Sequence, residues 1–304
     1  MKNISLIGSG KVATHLGLAL EDKGAIIHEV YSRNLKHAKK LSKNFYDAIP
    51  TDSLDFTKSE AEIFIIAVSD GAIEEICKQI ELPKHRCILA HTSGATPMEI
   101  LAQAHVLTGV FYPLQTFSFD KEVDFKKVPL CIDGTSQSVL DNLAALAMRI
   151  TPKVFHINSE ERKKLHLSAV FACNFTNHLL EVSSQLVKNA GLELNDLKHL
   201  IYETVDKAFA VDSPKDGQTG PAIRGDKKTI LKHEKELQKD FPEFLGMYQL
   251  MTDAIMEKQG NYITADQILS MDTQSQELDN EASDNQETDE LDTKPDNDDF
   301  YLSE

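Results

Sequence analysis

Long apolar runs and paired cysteines are absent from this 304-residue sequence. Because no run reaches about 18 apolar residues, we expect no membrane-spanning helix. The four cysteines lie far apart and form no Cys-x-x-Cys pair, which argues against a metal site or a disulfide framework and suits a reducing compartment. The sequence also begins in a strand pattern, without the basic and apolar segments of a signal peptide. It therefore predicts a cytoplasmic protein that does not associate with membranes.

Charge is distributed very unevenly along the chain. The formal net charge is −16, but residues 270–304 contain thirteen acidic residues and one lysine, a net −12, which leaves −4 for the rest. A mildly acidic body argues against a nucleic-acid partner. The acidic end has too few apolar residues to offset the entropy of ordering it. We therefore predict that residues 266–304 form a disordered acidic tail.

Strand-like and helix-like patterns alternate from residue 1 to about residue 155. Such alternation indicates βαβ units and a mainly parallel sheet, so the predicted class is an α/β domain of the Rossmann type. One helical pattern, Thr96–Ala104, has Thr96 in an N-cap position and Glu99 three residues later. The predicted strands are Ile4–Ile7, Ile26–Tyr31, Ile63–Val68, Cys87–His91, Leu107–Phe111, Leu130–Asp133 and Val154–His156.

Strand patterns end near Ser159, and residues 156–265 are predicted to form an all-helical domain. Its first helix runs from Ser159 to about Lys188, and apolar residues surround its central turns almost completely, so these turns are predicted to be buried. A domain of about 110 residues cannot readily cover so much apolar surface alone, which predicts a homodimer through this domain. Further helices are predicted at Asn195–Ala210, Lys227–Lys239 and Pro242–Lys258.

A glycine-rich segment, Gly8-x-Gly10-x-x-Ala13, joins the first predicted strand to the first predicted helix. In that context Gly8 permits a tight turn and Gly10 lets the backbone approach the pyrophosphate of a dinucleotide. The pyrophosphate would lie on the free N–H groups of the helix start, beside Ser9, Lys11 and Val12. The alternative is a plain strand–turn–helix connection.

The end of the second strand, "HEVYSRN", indicates which dinucleotide is bound. An NAD site usually has an acidic residue here to accept from the ribose 2′-OH. This chain has Ser32, Arg33 and Asn34 instead, and a hydroxyl and a guanidinium suit a 2′-phosphate. Glu29 precedes the strand end and should point elsewhere. The sequence therefore predicts NADP(H), the alternative being an arginine on a solvated strand end.

Small and polar residues also follow the next two predicted strands. Ala67, Val68 and Ser69 should flank the cofactor, because ligands of open α/β sheets bind at the carboxyl ends of the strands. Asp70 is predicted to cap the following helix. The segment His91–Gly94 should lie near the nicotinamide.

These segments together resemble one family. They are "GSGKVATHL", "VYSRN", "IIAVSD", "AHTSGA" and "GVFYPLQTFS", with "HLSAVFACNF" and "TGPAIRGD" in the second half. The set resembles Rossmann-like oxidoreductases whose second half is a domain of unknown function, with a layout similar to pyrroline-5-carboxylate reductase and 6-phosphogluconate dehydrogenase. The resemblance covers roughly residues 1–260. It implies an NADP-binding first domain and a helical second domain that often mediates dimers.

Polar residues in the long helix are the candidates for chemistry. On an ideal α-helix Asn177 lies within about 20° of His166 in azimuth, and Asn174 lies about 80° away. We take His166 as a candidate acid/base, with Asn174 and Ser93 as polarising donors. The alternative for each is a hydrogen bond inside the helical core.

A Gly- and Pro-rich loop, residues 216–226, supplies one further candidate, since Arg224 could clamp a carboxylate or phosphate of a small-molecule substrate. Asp226 is predicted to cap the next helix, and His233 and Tyr248 are more often structural than catalytic. Two function classes stay open: an NADP-dependent oxidoreductase acting on a small carbonyl, hydroxy or imine compound, and a non-catalytic NADP-binding sensor or scaffold.

Overall fold

The computed structural model describes residues 2–258. These residues divide into two compact units, with the boundary between residues 179 and 180. The predicted boundary near residue 155 stays a prediction, and the predicted tail, residues 266–304, lies outside the described residues.

The first unit is built on an eight-stranded sheet in the order β3-β2-β1-β4-β5-β6-β7-β8. Every described neighbouring pair is parallel except β6 and β7, which are antiparallel. The predicted mainly parallel sheet is therefore confirmed. The strands are β1 Asn3–Ile7, β2 Ile26–Tyr31, β3 Ile49–Thr51, β4 Ile63–Ile66, β5 Ile88–His91, β6 Thr108–Pro113, β7 Leu130–Gly134 and β8 Val154–His156.

Helices cover both faces of this sheet. Alternate residues of β4 point to opposite sides, so that Ile63 and Ile65 join one core cluster while Phe64 and Ile66 join the other. All four side chains are buried. The covering helices are α1 Lys11–Asp22, α2 Leu35–Ser42, α3 Asp70–Gln79 and α4 Gln137–Ala147, with short 3₁₀ helices at Met98–Gln103 and Phe125–Lys127.

Two short elements of the sheet unit differ from the predicted secondary structure. The predicted helix at Thr96–Ala104 is wrong: residues Met98–Gln103 form a 3₁₀ helix, and the Thr96 hydroxyl accepts a hydrogen bond from Ser93 Oγ at 2.9 Å instead of capping it. The sequence analysis also missed β3. This strand has three residues, includes Pro50 and lies at the sheet edge, where a residue without an N–H donor is tolerated.

The long helix predicted from Ser159 to Lys188 is present as one continuous helical segment, but a π-helix interrupts it. Helix α5, Ser159–Ala169, is followed by the π segment Val170–Phe175 and then by α6, Thr176–Asn189. The predicted burial of its central turns is wrong for the single chain, because Phe171 is 64% exposed and Phe175 is 48% exposed. These two rings pack edge-to-face on each other.

The second unit, as far as it is described, is helical. Asp226 caps helix α8, Lys227–Asp240, as predicted, since its carboxylate accepts from the Thr229 N–H at 3.1 Å. Between α8 and helix α9, Pro242–Lys258, the His233 ring and the Tyr248 hydroxyl share a hydrogen bond of 2.9 Å. None of the helices in residues 2–258 is long and apolar enough to cross a membrane. Besides the second part of α6, the α-helices are α7 Lys198–Ala210, α8 Lys227–Asp240 and α9 Pro242–Lys258.

Candidate functional site

A cleft of about 820 Å³ lies at the carboxyl ends of β1, β2 and β4. This is the point where the strand order reverses, from β1 outward to β2 on one side and to β4 on the other, and open α/β sheets bind ligands at such a switch point. Ten of the eleven predicted cofactor residues line the cleft: Gly8, Ser9, Gly10, Lys11, Val12, Ser32, Arg33, Ala67, Val68 and Ser69.

The backbone at Gly8 fits tightly against the end of β4. Its φ of 132° disfavours any residue with a side chain, and a Cβ built there would lie only 2.2 Å from the Ala67 carbonyl oxygen. The Gly8 N–H donates to the Tyr31 carbonyl oxygen at 2.9 Å, which fixes the loop to β2 as well. Gly8 is therefore required by the sheet itself, and not only by a ligand.

Gly10, two residues later, has open space around it. No atom lies within 4 Å of a Cβ built at Gly10, and no side chain caps α1. The first intrahelical bond at this end runs from the Thr14 N–H to the Gly10 carbonyl oxygen, so the N–H groups of Lys11 and Val12 are left without helical partners. A helix start of this kind favours an anion.

The end of β2 carries polar groups and a cation. Ser9 Oγ donates to Ser32 Oγ at 3.0 Å, which joins the glycine loop to the end of β2. Arg33 is exposed, lines the cleft and has no ion pair with any residue in the range 2–258. Its positive charge opposes the rise that burial causes in the pKa of Tyr31. An unpaired guanidinium here is available to a phosphate.

Two other predictions about β2 concern Glu29 and Asn34. The Glu29 carboxylate is buried and accepts hydrogen bonds from Ser5 and Ser59, so it points away from the strand end as predicted. Asn34 does not line the cleft. Its side chain accepts from the Lys36 N–H at 3.0 Å and thereby caps α2, a role that leaves its predicted contact with the cofactor untested.

The far wall of the cleft was not anticipated from the sequence. Helix α3, the loop after β3 and Tyr31 of β2 supply these residues, and the available signal was the proximity of α3 to Ser69. The further lining residues are Tyr31, Leu54, Gly71, Ala72, Glu75, Ile76 and Gln79.

The predicted role of Asp70 as the cap of α3 is wrong. Ser69 occupies the N-cap position of this helix, and no side chain makes a capping hydrogen bond there.

A second polar group lies in the same unit, around His166. The His166 ring of α5 meets the Tyr112 ring of β6 edge-to-face, and its Nδ1 lies 3.2 Å from the Tyr112 hydroxyl. Gly94 allows this contact, because a Cβ at Gly94 would lie 2.7 Å from His166 Nδ1 and 2.8 Å from Tyr112 Cζ. Sequence reasoning selected His166 but missed Tyr112, which looks like an ordinary strand residue.

Ser93, the third predicted catalytic residue, organises its own turn. Its Oγ accepts from the N–H groups of Ala95 and Thr96 and donates to Thr96 Oγ1. The Ser93 side chain is buried. Since a hydroxyl has a single donor hydrogen, Ser93 could polarise a substrate only by releasing Thr96. The catalytic role of Ser93 stays a prediction.

Beneath this turn lies a buried charged group. Arg162 is fully buried and donates to the Thr96 carbonyl oxygen at 2.8 Å, and its guanidinium lies 3.7 Å from the Asp133 carboxylate. Burial, together with the charge of Arg162, lowers the pKa of His91 to about 4. Neutral His91 accepts from the Ser93 N–H through Nδ1 at 3.1 Å. Arg162 stands in the charged run "EERKK", which typically marks a solvated helix face, so its burial could not be predicted from the local pattern.

The π segment changes which polar residues of the long helix align. Because i→i+5 bonding winds the chain by only ~80° per residue, Asn174 falls at roughly the azimuth of His166 and Asn177 falls roughly 80° away. This order is the reverse of that expected for an ideal α-helix. The Asn174 side chain is exposed and makes no hydrogen bond within residues 2–258, so its role stays a prediction.

Arg224 belongs to the second unit. It is exposed, and its positive charge helps to lower the pKa of Asp226, after the hydrogen bonds that Asp226 accepts from Thr229. The predicted contact of Arg224 with a substrate stays a prediction.

Two family models match the chain. One, described as a Rossmann-like domain, matches residues 2–113. The other, described as a domain of unknown function (DUF2520), matches residues 128–255. No curated protein matches the chain.

Several solved structures are similar over most of the chain. A crystal structure from Bacteroides fragilis, provisionally described as an NADP oxidoreductase, is 38% identical, with a TM-score of 0.77, covering 84% of this chain and 98% of that one. A Thermotoga maritima protein shares 23% identity and a TM-score of 0.60, with coverage of 84% and 98%. A 1-pyrroline-5-carboxylate reductase from Streptococcus pyogenes shares 12% identity and a TM-score of 0.54, with coverage of 84% and 97%, which shows a common fold.

Proposed function

Because this chain belongs to the family of Rossmann-like proteins that carry the DUF2520 domain in their second half, we propose that it is an NADP(H)-dependent oxidoreductase. It would transfer a hydride between the nicotinamide and a small carbonyl, hydroxy or imine compound. One observation carries the proposal: an open helix start and an Arg33 without an ion pair among residues 2–258 line the same cleft. The name of the 38% identical Bacteroides protein supports the same cofactor.

The residues present fit NADP(H). The N–H groups of Lys11 and Val12 would hold the pyrophosphate at the start of α1, where Gly10 leaves room for it. Ser32 and Arg33 would hold the 2′-phosphate, with Ser9 supporting Ser32. The cofactor supplies the hydride chemistry, and the protein binds, orients and moves a proton. His166, with Asn174 in line with it on the same helix, is the proposed proton donor.

Replacement of Arg33 tests the cofactor assignment. Arg33→Ala should weaken NADPH binding by about 1–3 kcal/mol, the range of a charge-assisted hydrogen bond, and should barely change NADH binding. Arg149→Ala is the matched control, because Arg149 is also exposed but does not line the cleft. Titration of both cofactors against the three proteins measures this. Equal losses for NADPH and NADH, or a similar loss in the control, would contradict the assignment.

Turnover with a panel of carbonyl and imine compounds tests the chemistry. His166→Ala should reduce turnover by about 10²–10⁴, the usual contribution of a positioned acid or base, while NADPH affinity is unchanged. His178→Ala serves as the control, since His178 lies on the same helical segment, is exposed and makes no described contact with His166. If NADPH binds but no compound of the panel is turned over, the non-catalytic sensor becomes the better description.

We also propose that the protein is a homodimer formed through its helical domain. Large apolar side chains of α7 are exposed in the single chain, among them Leu200 at 66% and Phe209 at 88%. A second copy that covers such a face would remove this apolar surface from water. Light scattering should give the mass of two chains, also after removal of residues 271–304, and melting should be unchanged by that truncation. A monomeric mass would refute the dimer.

A further inference from the structure

The contact between Tyr112 and His166 identifies a residue that positions the proposed proton donor. We infer that the Tyr112 hydroxyl holds His166 in the tautomer that carries its proton on Nε2, so that the ring offers a substrate a donor and not a base. The catalytic meaning of this inference deepens the proposed function and rests on it. The tautomer itself requires that the Tyr112 hydroxyl donates to Nδ1, and the surroundings of the two rings decide the direction of this hydrogen bond.

The phenol has one acceptor within reach among residues 2–258. Its oxygen lies 3.2 Å from His166 Nδ1, and it makes no other hydrogen bond in this part of the chain. If Nδ1 carried the proton and donated to the phenol, the hydroxyl hydrogen of a largely buried tyrosine would have no protein acceptor, which is unfavourable. Donation from Tyr112 to Nδ1 leaves neither group unsatisfied.

The phenol also keeps its proton throughout the neutral range. Burial, with a smaller contribution from Cys131, raises the pKa of Tyr112 to about 12. Tyr112 therefore remains a donor, and Nδ1 of the neutral imidazole remains an acceptor. Within residues 2–258 nothing accepts from Nε2, so the N–H at that position is free for a ligand.

Gly94 and Tyr112 fix the ring from two sides. A Cβ at Gly94 would collide with Nδ1 and Cγ of His166, so the turn Ser93–Thr96 packs directly on the imidazole. That turn is held in place by the Arg162 guanidinium through the Thr96 carbonyl oxygen. The ring is thereby oriented by backbone and phenol together, as expected for a preorganised donor.

The arrangement defines the group that the substrate must present. A free Nε2–H recognises an acceptor atom, such as the oxygen of a carbonyl or the nitrogen of an imine. In the reduction of a carbonyl, bound NADPH would supply the hydride of the new C–H bond, and the C=O π pair would move to oxygen. His166 would give its Nε2 proton to that oxygen and take the Tyr112 proton on Nδ1, so that the products would be the alcohol and NADP⁺.

The proton transfer in this relay is favourable overall. An alkoxide is about as basic as hydroxide, whose conjugate acid, bulk water, has a pKa of ~15.7. The phenol of Tyr112, with a pKa of about 12, is the stronger acid, so the proton passes from tyrosine to the alkoxide through the imidazole. The tyrosinate then recovers its proton from solvent.

The tautomer can be measured in the full chain without substrate or cofactor. In protein labelled with ¹⁵N-histidine, at about pH 8.5 where ordinary histidines are neutral, His166 should show a pyridine-like Nδ1 and a pyrrole-like Nε2. A His166→Gln sample assigns the signals. Tyr112→Phe keeps the ring and removes only the hydroxyl, so it should shift the His166 signals toward a mixture of tautomers. A protonated Nδ1 in the wild type, or identical spectra for the two proteins, would overturn the inference.

A second tyrosine–histidine pair provides the matched control. The Tyr248 hydroxyl oxygen lies 2.9 Å from His233 Nδ1, and the two rings again meet edge-to-face. Neither residue lines the cleft. Tyr112→Phe should lower kcat at least about tenfold while leaving NADPH affinity unchanged, and Tyr248→Phe should leave kcat unchanged. A changed tautomer with unchanged kcat would overturn the relay. Absence of turnover in the wild type itself would contradict the proposed function and leave the measured tautomer standing.

Discussion

The two units of this chain differ in how completely each covers its own apolar side chains. In the sheet unit Phe64 and Phe111 are fully buried between helices and strands, within extensive core clusters. In the described part of the helical unit the core cluster contains only Ala222, Ile230 and Met256 as buried members, while Phe209 is 88% exposed. Within residues 2–258, the first unit thus has extensive buried core clusters, whereas large apolar side chains of the second unit are left exposed.

The difference shows where residues 2–258 leave apolar surface in contact with water. A buried sheet satisfies its backbone hydrogen bonds and its apolar side chains within one chain. Exposed apolar patches on helices indicate a surface that another molecule covers. The first unit has an exception of its own on the long helix: its apolar pattern is real, but residues 2–258 leave Phe171 and Phe175 exposed, so the predicted burial is wrong there.

A pair of phenylalanine variants gives the largest expected difference between the units. Phe111→Ala should lower the free energy of unfolding by about 3–5 kcal/mol, because it leaves a cavity inside the sheet unit. Phe209→Ala should change it by less than about 0.5 kcal/mol in the monomer but should weaken self-association. Denaturation and sedimentation measure the two effects. If both variants lose the same stability and Phe209→Ala self-associates as the wild type does, the two units do not differ in how their apolar side chains are covered.

Lowering the pH should reduce the stability of the sheet unit, because His91 takes up a proton more readily in the unfolded chain than in the folded one. Burial lowers the pKa of His91 to about 4 in the folded protein, against ~6.5 in the unfolded chain. Between these values the unfolded state binds the extra proton, so stability is lost as the pH falls below ~6.5 and the loss is complete near 4. The full loss amounts to at most ~3.4 kcal/mol, at 1.36 kcal/mol per pKa unit.

Denaturation at a series of pH values measures this loss. His91→Gln should flatten the curve of unfolding free energy against pH between about pH 6.5 and 4, because glutamine at position 91 cannot take up a proton. The control is His199→Gln, since His199 is exposed on α7 and its replacement should leave the slope unchanged. Parallel curves for wild type and His91→Gln would show that His91 does not contribute to the acid sensitivity.

Much of the fold could be predicted from local patterns, because its apolar strands and helices follow regular periods. Ile26–Tyr31 and Val154–His156 were predicted with their observed limits, and the glycine loop and the β2 end meet in one cleft because parallel strands share an edge. The strand β3 was missed since three residues with a proline carry almost no periodic signal.

The region around His166 shows why the remaining features could not be predicted. The burial of Arg162, the contact of Tyr112 with His166 and the π segment all depend on how distant parts of the chain pack. Periodicity depends only on residues that are close in sequence. It therefore predicts a solvated Arg162 and a uniform α-helix over the whole long helix. Residue type was enough to select the polar candidates, but the residues that contact them can be identified only from the tertiary structure.

The smallest expected effect on stability comes from Gly10, and it separates structural glycines from ligand-facing ones. Gly8→Ala should destabilise the protein by about 1–3 kcal/mol, since φ is 132° and the new Cβ would meet the Ala67 carbonyl oxygen. Gly10 has a φ of −82° and empty space around it, so Gly10→Ala should change stability by less than about 0.5 kcal/mol. The same methyl group would nevertheless lie where the pyrophosphate approaches α1, and NADPH affinity should fall at least about tenfold, or ~1.4 kcal/mol. Thermal melting and NADPH titration of both variants give the result. If Gly10→Ala binds NADPH as tightly as the wild type, the segment is a plain strand–turn–helix connection, and the phosphate site must lie elsewhere in the cleft.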